Sequence, residues 1–271
     1  KPSQDIDDKF SHLGVGSLNF KDIIEKRLLE LKGTLLYRQD YNYILIVIRY
    51  PMGDRMTNPT ISQDVLDRLL IPSTATLTAQ LSNLGLWHTF MHDVSPLKPG
   101  MKMVGAAFTL RYIPAREDLD RVPLDNLTDV QRVGIERIGP GEVLVIDARG
   151  DTRAGTMGNI LATRVHVRGA AGIVTDGAYR DSPAFLDIGI PSYARAMNAH
   201  TNKTIHHPAD FQQPIACGGV SVFPGDIIVG DDEGVVVIPV EYAEEVAIRS
   251  VEQEEKESFL LGKIEQGASI V

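Results

Sequence analysis

From residue 62 onward the sequence predicts an α/β layered domain, on three observations. Runs rich in β-branched residues alternate with segments of helical periodicity, glycines stand where those helical segments stop, and no internal repeat or low-complexity tract interrupts the pattern. The 271 residues, 43% hydrophobic and 23% charged with only 6% aromatic, suit one large or two small globular domains. Taking the elements in order, Ser73 can cap a helix that runs through Leu77 and Leu81, and Gly85 stands where a left-handed C-cap belongs. Val104 to Ile113 reads as a strand, Thr128 to Ile138 as a helix, and Glu142 to Ala148 as a second strand. A helix over about Met157 to Arg168 is closed by Gly169, and strand-like runs follow at Ala171 to Thr175, Pro191 to Ala194 and Thr204 to His207. Cys217 to Pro239 reads as a β-meander that closes the sheet, turning at Pro224-Gly225-Asp226 and at Asp231-Asp232-Glu233-Gly234. The last element is a glutamate-rich helix from about residue 242 to Gly267.

Residues 1–60 differ in texture and are expected to form an N-terminal extension ahead of a domain at 61–271. Asp22 to Leu31 has the spacing of a short amphipathic helix and Tyr43 to Tyr50 that of a strand, but no polar constellation is present and no chemistry is assigned. This stretch holds 9 basic and 8 acidic residues, whereas the remaining 211 hold 18 and 28, so the formal charge of -9 belongs to the second part. That balance argues against a nucleic-acid binder, which needs a basic surface to release counterions from phosphate. The longest apolar run, Tyr43 to Ile48, is too short for a bilayer, and the lone Cys217 excludes an internal disulfide or a cysteine zinc site. A cytoplasmic, reducing compartment is therefore expected, with no membrane partner.

The chemistry centres on Gly158-Asn159-Ile160-Leu161 and on Asp176-Gly177-Ala178-Tyr179-Arg180-Asp181. A glycine-led helix start offers unpaired backbone N–H groups and the positive end of the helix dipole to a carboxylate. The following strand returns the chain to the same sheet edge, where open α/β sheets place their ligands. Arg180 can grip a carboxylate or a developing enolate with its planar fork, and Asp181 offers a hard oxygen to Mg2+ or Mn2+. Taken alone, an adjacent Arg and Asp is more often a surface or structural ion pair.

At these residues the sequence resembles the RraA-like family, which includes 4-hydroxy-4-methyl-2-oxoglutarate aldolase and the regulator of ribonuclease E activity. The family pattern sets a Gly-Asp-Leu-Leu-like helix start twenty positions before an Arg-Asp pair, and here twenty residues separate Asn159 from Arg180-Asp181. The likeness runs from about Ser62 to Pro239, through Ser73-Thr74-Ala75-Thr76, Gly105 to Leu110, Gly218-Gly219-Val220, Pro224-Gly225-Asp226 and Gly234 to Pro239. It implies an α/β/β swivelling-type domain with a mixed sheet, assembled as a homotrimer or homohexamer with its cleft between subunits. It further implies a divalent metal, Mg2+ or Mn2+, held by Asp181. The pyruvyl group of a 2-oxo acid would lie on Arg180, with its carboxylate on the backbone of Gly158, Asn159, Ile160 and Leu161. The function so implied is a metal-dependent lyase, either an aldolase releasing pyruvate or an oxaloacetate decarboxylase. The alternatives are a non-catalytic regulator that binds a ribonuclease, and a sugar-acid enzyme using the same enolate chemistry. Two positions depart from the pattern: Asn159 stands where the family has an acid, and Ala184 where the aldolases place one three positions after the aspartate.

Other candidates read more simply as structure. Asp187 lies three residues beyond Ala184, but nothing in the sequence shows that it substitutes for the missing acid; Asp176 and Asp151 could supplement a metal site, but a turn or cap role is favoured for each. His200, His206 and His207 are expected to be ordinary strand or loop residues, because adjacent strand positions face opposite sides. Arg111, Arg116, Glu117 and Asp118 read as a solvated loop, Glu252 to Glu257 as a solvated helix face, and Cys217 as a buried thiol. Asn126-Leu127-Thr128 and Asn202-Lys203-Thr204 match glycosylation acceptors by chance.

Overall fold

The computed structural model describes residues 61–120 and 125–270, which fall in one compact unit, Asn58–Val271. The helix expected at Asp22 to Leu31 and the strand expected at Tyr43 to Tyr50 lie outside the described residues. In chain order the elements are α1 (Gln63–Leu69), α2 (Thr74–Asn83), β1 (Ser95–Pro96), β2 (Met103–Pro114), α3 (Val130–Arg137), β3 (Glu142–Asp147), β4 (Gly155–Met157), α4 (Asn159–Val167), β5 (Gly172–Tyr179), α5 (Ser182–Ile188), β6 (Ser192–Met197), β7 (His206–Phe211), β8 (Ile215–Cys217), β9 (Val220–Val222), β10 (Ile227–Gly230), β11 (Val235–Ile238) and α6 (Ala243–Glu265). Short 3-10 turns occupy Asn202–Thr204 and Val240–Tyr242.

The sheet is mixed, in the order β1-β6-β5-β3-β2-β10-β11, with β4 also paired to β5 and β7 to β2. Strands β2, β3, β5 and β6 run parallel, whereas β10, β11, β7 and β1 join antiparallel. Alternation along β3 divides the core. Val143 and Val145 face a layer formed with the β8–β9 hairpin, through Ile215, Cys217, Val220 and Val222. Leu144 and Ile146 face α3, α4 and α5, through Ile135, Ala162, Val165 and Phe185. A third cluster packs α1, α2 and α6 on β10 and β11, joining Leu69, Leu77 and Leu81 to Val229, Val236 and Val246. This is the layered α/β arrangement that the alternating pattern predicts.

Local signals explain most of the boundaries. The Ser73 hydroxyl accepts from Thr76 N, and Gly85, one residue past the C-cap, sits at φ +83°. Gly169 at φ +84° ends α4 in the same way. Four expectations are corrected. The strand expected at Thr204 to His207 starts later, at His206, because Asn202–Thr204 forms a 3-10 turn that hands the chain to β7. The expected meander splits: β8 and β9 form their own two-stranded sheet, and only β10 and β11 extend the main one. Arg111 is a strand residue, ion-paired with Asp210 on the neighbouring β7, rather than part of a loop. Glu254 is not merely solvated; its Oε1 accepts from Ser73 N (3.0 Å) and Thr76 Oγ1 (2.8 Å), tying the middle of α6 to the start of α2.

Candidate functional site

Strand β4 is what joins the two halves of the motif. Its parallel pairing with β5 sets Gly155 opposite Ala178 and Met157 opposite Tyr179, and Arg180 N donates to Met157 O at 3.1 Å. The residues that follow the two strands, Gly158 and Arg180-Asp181, are thereby neighbours although some twenty residues separate them. The contact leaves little room for a side chain at either glycine. A Cβ on Gly158 would lie 2.5 Å from Asp181 Oδ2 and 3.2 Å from Arg180 Cγ, and one on Gly155 would lie 2.8 Å from Arg180 N.

Each side chain is held by its local backbone. Asp181 caps α5 in the left-handed conformation (φ 59°, ψ 35°), but its carboxylate makes no cap hydrogen bond and points instead toward Arg180. A non-glycine residue in that region is uncommon and marks a conformation over-determined by its surroundings. Here Ala184 N and Phe185 N donate to the Asp181 carbonyl, and the Phe185 ring stacks on Tyr179 at 4.7 Å. Arg180 Nε approaches Asp181 Oδ2 at 3.4 Å, yet it is buried without a hydrogen-bond partner. Opposite them, helix α4 starts at Asn159 behind a Gly158 cap that brings no side-chain acceptor. The N–H groups of the first turn are thus left to a ligand or to solvent.

These residues border a cavity of about 260 Å3 that includes Gly158, Asn159, Ile160, Leu161, Arg180 and Asp181. The structure therefore brings together all six site residues singled out from the sequence. Besides Gly155 and Met157 of β4, the rest of the wall was not anticipated: Asp129, Gln131 and Arg132 from the start of α3, and Thr201, Asn202 and Lys203 from the 3-10 turn. Lys203 Nζ pairs with Asp129 Oδ2 at 2.6 Å, and Asp129 Oδ1 caps α3 through Arg132 N. Asn202 Nδ2 donates to Gln131 Oε1, and Gln131 Nε2 donates to Thr156 O, so the turn is locked to α3 and β4. An Asp at a helix start was the one sequence signal for this wall. Asn202 and Lys203 were visible only as a chance glycosylation match.

The other acids do not line this cavity. Asp176 is buried and accepts from Ala148 N and Gly150 N; burial, then the nearby Asp147, push its pKa up. Asp151 pairs with Arg153, which holds its carboxyl down at about 2. His206 is buried beside Arg149 and its pKa is lowered by that burial, while His207 pairs with Asp120 at 2.7 Å. Cys217 is buried, which raises its thiol pKa well above the ordinary value. Among the described residues no group of three or more His, Cys, Asp or Glu is arranged to hold a metal. Asp181 and Asn159 are cavity residues whose side-chain oxygens could reach a cation.

Comparison with known proteins sets this arrangement in context. Residues 64–237 match the RraA-like family model, described as Aldolase/RraA. The chain belongs to the Aldolase/RraA family. A Halalkalibacterium halodurans protein named "Putative 4-hydroxy-4-methyl-2-oxoglutarate aldolase" is 34% identical over 146 residues, 54% of this chain and 64% of that protein. Protein DlpA of Legionella pneumophila is 28% identical over 73% of this chain but only 32% of its own length. The match thus spans less than two thirds of either curated relative. Among solved structures, Streptomyces coelicolor RraAS2, described as an unusual member of the RNase ES inhibitor RraA protein family, has a TM-score of 0.67 and 33% identity, covering 73% of this chain and 96% of that one. An uncharacterized Pseudomonas syringae protein has the same TM-score at 27% identity, covering 77% and 96%. The Aldolase/RraA domain here therefore carries the family fold together with the cavity described above. Among the described residues no helix is long and apolar enough to cross a membrane.

Proposed function

We propose that this Aldolase/RraA domain is a divalent-metal-dependent carbon–carbon lyase acting on a 2-oxo acid, as an aldolase releasing pyruvate, as an oxaloacetate decarboxylase, or both. The observation that carries this reading is the β4–β5 pairing, which gathers a bare helix start, a guanidinium whose Nε makes no hydrogen bond and the half-exposed Asp181 carboxylate around one small cavity. In this reading the first-turn N–H groups of α4 hold the substrate carboxylate, each donor pre-aimed and stabilised by the helix dipole. Arg180 neutralises negative charge that develops on the 2-oxo oxygen as the C3–C4 bond breaks. Removal of such a donor typically costs about 100- to 1,000-fold in rate. Asp181 holds the cation, and Asn159 orients water or substrate by hydrogen bonding without adding charge or acting as a base. A bound Mg2+ or Mn2+ supplies Lewis-acid polarisation of the 2-oxo group. The name carried by the Halalkalibacterium halodurans relative supports the aldolase form.

Assembly into a homotrimer or homohexamer forms part of the proposal. A groove of about 700 Å3 between α3 and α4 adjoins the cavity, shares Arg132, Ile160 and Leu161 with it, and exposes Leu127, Ile160 and Val167. Pyruvate release from oxaloacetate and from 4-hydroxy-4-methyl-2-oxoglutarate, with Mg2+ or Mn2+ and again after chelation, tests the reading: turnover that stops with chelator supports it, and no turnover of either substrate overturns it. A second reading, a non-catalytic partner of a ribonuclease, is favoured by Asn159 in place of an acid and by the likeness to RraAS2. Capture of a ribonuclease by a protein inactive on both substrates would establish it.

A further inference from the structure

We infer that Arg132 is a specificity-determining residue, the anchor for a second anionic group on the ligand, so that the cavity selects 2-oxo acids carrying a distal carboxylate over those with an uncharged tail. The inference rests on reading the cavity as a 2-oxo acid site, but not on turnover there. Five charged residues line the cavity, and four of them stand beside a group of opposite charge: Lys203 beside Asp129 at 2.6 Å, and Arg180 beside Asp181 at 3.4 Å. Arg132 alone of the five has no carboxylate partner among the described residues. Its neighbours on the same surface are committed elsewhere. Arg164 pairs with Glu136 at 2.6 Å, Arg137 lies over the Phe211 ring at 5.1 Å, and Arg168 Nε donates to Ile138 O.

The backbone of Arg132 is fixed although its head group is not. Its N–H donates to the Asp129 Oδ1 cap at 3.0 Å, and Asp129 is braced in turn by Lys203. The side chain therefore starts from a rigid first turn, and its planar fork suits a carboxylate. The cavity ends up with one cation in excess, inside a region of the chain that is strongly acidic overall. An excess cation at this rim favours a dianion over a monoanion, and a charge-assisted contact of this kind is worth about ten- to a hundredfold in affinity.

The test uses a pair of ligands matched in chain length, 2-oxoglutarate and 2-oxopentanoate, titrated calorimetrically into the full chain with Mg2+ present. The wild type is expected to bind 2-oxoglutarate at least tenfold more tightly. Arg132→Gln is expected to abolish that preference while leaving 2-oxopentanoate affinity unchanged, and Arg132→Lys to keep part of it. Equal affinities in the wild type, a preference that survives Arg132→Gln, or binding of neither acid would overturn the assignment. A preference that depends on Arg132, in a protein that releases no pyruvate from either lyase substrate, would sink the lyase reading and leave this one standing.

Discussion

Gly158→Ala adds a single methyl group, and the structure says where its effect falls. The new Cβ would sit 2.5 Å from Asp181 Oδ2, about 0.9 Å inside the 3.4 Å at which ordinary contact begins, and also 3.2 Å from Arg180 Cγ. Neither the Gly158 backbone, at φ -114°, nor the helix it caps forbids alanine. Exchanging a glycine cap for alanine costs about 1 kcal/mol or less. The strain is relieved instead by the Asp181 and Arg180 side chains, which are each 39% exposed and able to swing outward by about 1 Å. A misplacement of that size at reacting groups can cost about 100-fold. Stopped-time pyruvate release with Mg2+, alongside urea denaturation, reads both quantities. We expect kcat/KM to fall about 100-fold while unfolding free energy changes by no more than about 1 kcal/mol. A variant with unchanged kcat/KM would refute the argument that Gly158 exists to admit Asp181 and Arg180.

Three further outcomes follow from particular contacts. Asn159→Asp places a second carboxylate beside the cavity with Asp181, and calorimetric Mn2+ affinity is expected to rise about tenfold or more; an unchanged value would show that residue 159 does not face the cation. Glu254→Gln removes charge from a group that accepts from Ser73 N and Thr76 Oγ1, contacts that lower its pKa. Because the folded carboxyl titrates below the unfolded one, its contribution is present above the unfolded pKa of about 4.3 and lost as pH falls through the lower folded value. The variant should therefore lose about 1–2 kcal/mol at pH 7 and converge with wild type at acid pH in urea denaturation. His206 shows the imidazole form of the same linkage: burial depresses its folded pKa, so the unfolded chain takes up the proton first as pH drops through about 6.5. His206→Gln is expected to flatten the decline of thermal stability below that pH, and an unaltered slope would count against it.

Much of the fold was readable where one physical signal dominated. The centre of β3, Val143 to Ile146, is an apolar run buried on both faces, β2 is mostly apolar up to Leu110, and Gly85 and Gly169 mark helix ends that need a left-handed residue. Shorter elements escaped because tertiary pairing, not local preference, creates them. Met157, expected at the start of a helix, becomes strand through its pairing with Tyr179, and α5 is a seven-residue helix hung on the backbone of Asp181. Strand β7 contains Pro208 and polar residues, which fit an element at the end of β2 but give no period-2 apolar signal. The site divides in the same way. Gly158 to Leu161 and Arg180-Asp181 were legible as a spaced motif, whereas Asp129, Arg132 and Lys203 join it only through the 3-10 turn and the cap of α3.

The central claim is that Asp181 serves the reaction, and Asp181→Asn isolates it. Asparagine tolerates the left-handed backbone at φ 59° and keeps the volume of aspartate, so the turn survives while the negative charge is lost. Pyruvate release from oxaloacetate should be measured with saturating Mg2+ or Mn2+, after subtraction of the metal-only rate. The account predicts a fall of about 100-fold or more with unfolding free energy unchanged, since metal-assisted charge stabilisation is worth several kcal/mol. Equal rates for the wild type and Asp181→Asn would contradict it.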